Sequence, residues 1–248
     1  PPSGIRRFFA LAANIPDCIS LGVGEPDFVT PWEIRDAAIK SIQSGRTQYT
    51  SNAGLLSLRE EIAGYLSSRF KADYDPKTEI IVTIGASEAI DLALRTLVTA
   101  GDEVLIPSPS YVSYAPNAAI VGGVAVPLET RADDGFVLTP EVLEKAITPR
   151  SKVLILPYPN NPTGAIMTRE RLEKIAGVIE KHDLFVISDE IYAELTYGEK
   201  HASFAAIPGM KKRTVLINGF SKAFAMTGWR LGYFCAPEPV AKAAYKIH

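Results

Sequence analysis

The chain has 248 residues, 47% hydrophobic and 22% charged, with a formal net charge of −2. That length allows one large α/β domain, or one domain with part of a second. The balanced charge gives no concentrated basic surface for nucleic acid or a membrane. No apolar run reaches the ~20 residues that span a bilayer, and the first residues do not read as a secretory leader.

In chain order, Ile5-Arg6-Arg7-Phe8-Phe9 is a short amphipathic pattern, residues 18–21 are strand-like, and Gly22-Val23-Gly24-Glu25-Pro26 follows. Residues 1–35 read as an arm crossing to a second, small domain, and 36–248 as the large domain. Through the large domain, short β-branched runs alternate with amphipathic helical stretches, the pattern of a mostly parallel sheet covered by helices on both faces. The predicted strands are 79–84, 103–107, 124–128, 152–157, 184–188 and 214–218. The predicted helices are 87–99, 111–121, 140–146 and 169–182, with apolar residues at helical spacing such as Ile90, Leu94 and Leu97. The fold class is therefore α/β, a three-layer sandwich. Pro1 stands where an initiator Met is expected, and the chain stops inside a helical pattern opened by Pro237-Glu238-Pro239. A longer protein, with a C-terminal small domain, is expected. Cys18 and Cys235 lack metal-ligand spacing and read as buried thiols in a reducing cytoplasm.

In open α/β sheets ligands bind beyond the carboxyl ends of the strands. Five of the predicted strands end in unusual polar or aromatic groups: Gly85-Ala86-Ser87, Ser108-Pro109-Ser110-Tyr111, Asn160-Asn161-Pro162-Thr163-Gly164, Asp189, and Gly219-Phe220-Ser221-Lys222. Together they describe a binding pocket. Gly85-Ala86-Ser87 opens a helix, whose free N–H groups make an anion site; Ser87 reads equally as a helix N-cap. Lys222 needs desolvation or a nearby cation to lose its proton and act as a nucleophile. Arg230 can supply that charge while binding a phosphate through its planar fork, and Ser221 can donate a further hydrogen bond. Taken singly, Lys222 reads as a surface lysine and Asn161 as a turn residue, while a helix cap for Asp189 and a core aromatic for Tyr111 are plainer alternatives. The histidines show neither a metal cluster nor a Ser-His-Asp order.

The string from Gly219 through Lys222, Met226-Thr227-Gly228-Trp229-Arg230 and Gly232 resembles the lysine-attachment motif of class I aminotransferases, within the fold-type-I enzymes that use pyridoxal 5′-phosphate. The likeness runs over essentially the whole chain. It implies that Lys222 holds the cofactor and shuttles the substrate Cα proton, and that Asp189 keeps the ring nitrogen protonated. By the same resemblance Tyr192 bonds the ring hydroxyl, while Asn161 contacts the cofactor oxygen and the substrate carboxylate. Ala86, Ser87, Ser221 and Arg230 fall to the phosphate, Tyr111 to the ring face and the substrate, and Gly24 to the substrate carboxylate. Tyr49 reaches the phosphate of a neighbouring subunit, so the family implies a homodimer. The activity implied is transfer of an amino group from an L-amino acid (aspartate, aromatic or related) to a 2-oxo acid such as 2-oxoglutarate. Alternatives are a pyridoxal-phosphate-dependent C–S β-lyase and a sensing domain of a transcription regulator, which would need a helix-turn-helix segment. The family's arginine for the substrate α-carboxylate is expected beyond residue 248.

Overall fold

Seven strands form one sheet in this computed structural model, which describes residues 4–12, 14–19 and 24–248. They are β1 (Ile80–Thr83), β2 (Glu103–Ser108), β3 (Val124–Glu129), β4 (Ser151–Leu156), β5 (Phe185–Asp189), β6 (Thr214–Gly219) and β7 (Gly232–Cys235). The helices are α1 (Ile5–Ala12), α2 (Trp32–Gln43), α3 (Leu56–Phe70), α4 (Gly85–Leu97), α5 (Tyr114–Ile120), α6 (Pro140–Ala146), α7 (Arg169–Lys181) and α8 (Glu238–Ala244). The spatial order is β1-β7-β6-β5-β4-β2-β3. Strands β2 to β6 pair in parallel, whereas β7 runs antiparallel to both its neighbours. Since β1 and β6 both oppose β7, β1 points the same way as the parallel set.

The period-two geometry of a strand explains the layers. Val104, Ile106, Val153, Ile155, Ile187, Val215 and Ile217 face one side and pack with α4, α5 and α8. The alternate residues Leu105, Leu154, Leu156 and Val186 face the other, under α6 and α7. At the β1 end, Ile80, Leu216 and Cys235 pack under Ile62, Leu66 and Phe70 of α3. Both faces of the sheet are thus covered, and the middles of its central strands are apolar, as a mostly parallel sheet requires. Among the described residues no helix is long and apolar enough to cross a membrane.

All six predicted strands are present, trimmed or extended by one or two residues, with Asp189 the last residue of β5 rather than the one after it. Strand β7 and helices α2 and α3 were not anticipated. Helix α5 starts three residues later than expected, at Tyr114. Helix α8 ends at Ala244, short of the chain end. Cys235 is buried, but Cys18 is exposed, contrary to the expectation for both thiols. The strand-like reading of 18–21 lies partly outside the described residues; Cys18 and Ile19 have no regular structure.

Candidate active site

The carboxyl ends of β1, β2, β4, β5 and β6 share one edge of the sheet, and a cavity of about 360 Å³ opens there. Gly24, Ala86, Ser87, Tyr111, Asn161, Asp189, Tyr192, Ser221, Lys222 and Arg230 all line it. Tyr49 is the exception among the residues singled out from sequence. It is fully exposed and does not line its own chain's cavity.

One wall is built for an anion. Helix α4 begins at Gly85, so Ala86 and Ser87 lie in its first turn, where backbone N–H groups have no partner within the helix. Ser87 is the third helical residue and is not an N-cap; Glu88 instead accepts from the N–H of Ile84. The backbone of Arg230 is left-handed (φ 54°), and its guanidinium lies against Gly85. A Cβ on Gly85, itself at φ +72°, would stand 2.5 Å from Arg230 Nη2. Gly232 lets β7 approach equally closely, since a Cβ there would be 2.5 Å from the Gly85 carbonyl carbon. The glycines therefore permit the contact between the Arg230 turn and the start of α4.

Lys222 is half-buried, and burial is the main reason its ammonium pKa is lowered; Glu25 opposes the shift and Arg230 adds to it. Its Nζ donates to the Gly24 carbonyl and lies 5.8 Å from the Tyr192 ring centroid. The segment carrying Gly24 is tied to the Lys222 turn in three further places. Thr227 Oγ1 donates to Glu25 (3.0 Å), Thr30 Oγ1 to the Ala225 carbonyl (2.6 Å), and Trp229 Nε1 to Thr30 Oγ1 (3.1 Å).

Asp189 is only 5% exposed. It accepts from the Tyr114 hydroxyl at 2.8 Å and from Ile191 N at 3.2 Å. Burial raises its pKa to about 6, against the lowering effect of those two donors. The adjacent Glu190 points away from Asp189 along the strand's alternation. It accepts from Ser188, Ser203, the Phe204 N–H and His201 Nε2 at 2.8–3.2 Å. Tyr192 receives a long hydrogen bond from Asn161 Nδ2, 3.5 Å.

The sequence pattern that defines the family "Aminotransferase class I and II" matches residues 16–248. The chain belongs to this family. It is 55% identical over its whole length to a putative aminotransferase, YugH, of Bacillus subtilis, covering 64% of that protein. It is 47% identical over 97% of its length to aromatic-amino-acid aminotransferase 2 of Thermococcus litoralis, covering 62% of it. Among solved structures, aspartate aminotransferase from Thermus thermophilus with maleate superposes with a TM-score of 0.95 at 39% identity, covering all of this chain and 65% of that one. The chain thus spans somewhat less than two thirds of the length of the relatives it matches.

Aminotransferases of this family use pyridoxal 5′-phosphate, and the cavity fits it on two independent counts. A buried carboxylate bonded by neutral donors alone calls for a cationic N–H partner, such as a protonated pyridine. The α4 N-terminus with Arg230 calls for a phosphate-like anion. Sequence reading missed Tyr114, the Glu190 cluster and the Thr30–Trp229 tether. Tyr114 carried a readable signal, for it follows Tyr111 by three residues, a spacing that puts both on one side of a helical turn; their rings meet edge-on at 5.6 Å.

Proposed function

We propose that the protein moves the amino group of an L-amino acid to a 2-oxo acid with pyridoxal phosphate held in this cavity. What carries the reading is a single juxtaposition: a desolvated amine, a buried carboxylate and an anion cradle line one space of about 360 Å³. When bound, the cofactor supplies an aldehyde that takes up the amine and a ring that draws in the electrons left when a Cα bond breaks. Lys222 anchors it and, once freed, carries the proton to and from the substrate Cα. Asp189 holds the proton of the ring nitrogen, and Tyr192 with Asn161 orients the ring hydroxyl. Ala86, Ser87, Ser221 and Arg230 bind the phosphate, and Tyr111 lies on the ring face. The Gly24 backbone and Asn161 meet the substrate carboxylate.

Relatives named for aspartate, aromatic amino acids and N-acetyl-LL-diaminopimelate support a donor of those kinds, with 2-oxoglutarate as a suitable acceptor. Their names favour amino transfer over a C–S β-lyase. We also infer an arm over residues 1–35 and a large domain over 36–248, and a homodimer in which Tyr49 reaches the neighbouring phosphate. Its full exposure supports that placement. Two free thiols support a cytoplasmic location.

The test is product analysis of the full-length protein with an L-amino acid as sole substrate. One equivalent of 2-oxo acid per subunit, with no ammonia, is expected. Continuous ammonia release would establish a lyase instead.

A further inference from the structure

We propose that Tyr114 is a positioning residue for Asp189, its buried hydroxyl fixing Oδ2 so that the carboxylate stays ionised and turned to the cavity. This rests on the reading of Asp189 as the partner of the ring nitrogen. Tyr114 is 3% exposed, lies in the first turn of α5, and donates to Asp189 across 75 residues of sequence at 2.8 Å. Its ring is clamped edge-on by Tyr111 and its body belongs to the core under α4, so the hydroxyl has little freedom to point elsewhere. A buried phenol beside a carboxylate keeps its own proton, because burial and the negative neighbour both push its pKa far up. It is therefore a permanent donor, and a donor to a charged carboxylate favours the ionised form. The other donor to Asp189 is the Ile191 N–H, longer and set by the backbone. The titratable and charged groups around Asp189 are Tyr114, Glu190 and Tyr192, with Tyr111, Lys222 and Arg230 on the same cavity.

The experiment measures pyridoxal phosphate affinity of the full-length apoprotein across pH 5 to 9 for wild type, Tyr114→Phe, Asp189→Asn and the double variant. A hydrogen bond to a charged group is worth roughly a tenfold change in affinity or more. Tyr114→Phe should weaken binding about tenfold and move the acid-side loss of affinity up by about one pH unit. In the Asp189→Asn background the same change should do nothing. Equal loss in both backgrounds would assign Tyr114 to packing, and no loss in wild type would remove it from the site; either overturns the proposal. If Asp189→Asn alone binds as tightly as wild type, the ring-nitrogen reading fails, and this proposal with it. A cofactor-free measurement is independent of binding. The infrared carboxyl band assigned to Asp189 should titrate at higher pH in Tyr114→Phe, and an unmoved midpoint counts against the proposal.

Discussion

At the scale of single residues, burial disfavours the charged forms of both Lys222 and Asp189. The half-burial of Lys222, with a smaller contribution from Arg230, makes its amine give up a proton more readily than a free lysine. Borohydride reduction of the protein loaded with pyridoxal phosphate should label Lys222 and no other lysine. Lys222→Ala should lose label and turnover together, by 10²-fold or more from the proton relay alone; label on another lysine in wild type would refute the assignment. Burial raises the Asp189 pKa to about 6 in the folded chain, above the ordinary aspartate value of ~3.9. Between those values the folded apoprotein binds more protons than the unfolded chain, so this carboxylate lowers stability progressively as pH rises through the window. The full shift corresponds to about 3 kcal/mol. Cofactor-free Asp189→Asn should therefore melt above wild type at pH 7, by an amount up to that limit, and match it near pH 4. Pyridoxal phosphate should reverse the order at neutral pH by supplying the missing cation. Parallel melting curves at both pH values would show that Asp189 is not strained in this way.

Individual elements show which parts of the molecule were legible. The parallel-running strands were readable as runs of β-branched and apolar residues, buried on both faces in the centre of the sheet, whereas the edge strand β3 buries only Leu128. Strand β7 was not, since Gly232-Tyr233-Phe234-Cys235 is too short to show a period and begins with a glycine. Its place between β1 and β6 comes from close backbone approach. Gly232→Ala should therefore press a methyl into the Gly85 backbone, where nothing flexible can yield. We expect a loss of about 1–3 kcal/mol and weaker cofactor binding; an unchanged melting temperature would contradict the packing described. Helix α3 shows Ile62, Leu66 and Phe70 four residues apart, a pattern legible in the sequence, whereas α2 buries none of its residues and offers no such stripe. The cavity residues were legible through their position after strands and through the lysine motif. Contacts such as Tyr114 with Asp189 and His201 with Glu190 were not. They join side chains whose types are common and whose proximity only the tertiary fold creates. Glu190 is 1% exposed with several donors aimed at it, and Glu190→Ala would leave them stranded. Breaking such a cluster costs about 3–5 kcal/mol, measurable by denaturant unfolding; a loss below about 1 kcal/mol would mean the cluster contributes little to the fold.

For the whole molecule, the sheet, its helices and the ligand cavity lie within this chain, which matches somewhat less than two thirds of its relatives' length. Tyr49 is exposed and outside its own chain's cavity, and the proposed homodimer gives it a role at the neighbouring site. Sedimentation of the full-length protein should give a dimer, and Tyr49→Phe should weaken cofactor binding about tenfold without changing that mass. A monomer with full cofactor affinity would exclude a shared site. The central claim, that this cavity moves amino groups, is tested most directly by one spectrum. The full-length protein loaded with pyridoxal phosphate is mixed with a single L-amino acid and its visible absorption followed. The account requires the cofactor band to disappear with one equivalent of 2-oxo acid and to return when 2-oxoglutarate is added. A band that persists with every amino acid, or one identical in Lys222→Ala, would contradict it.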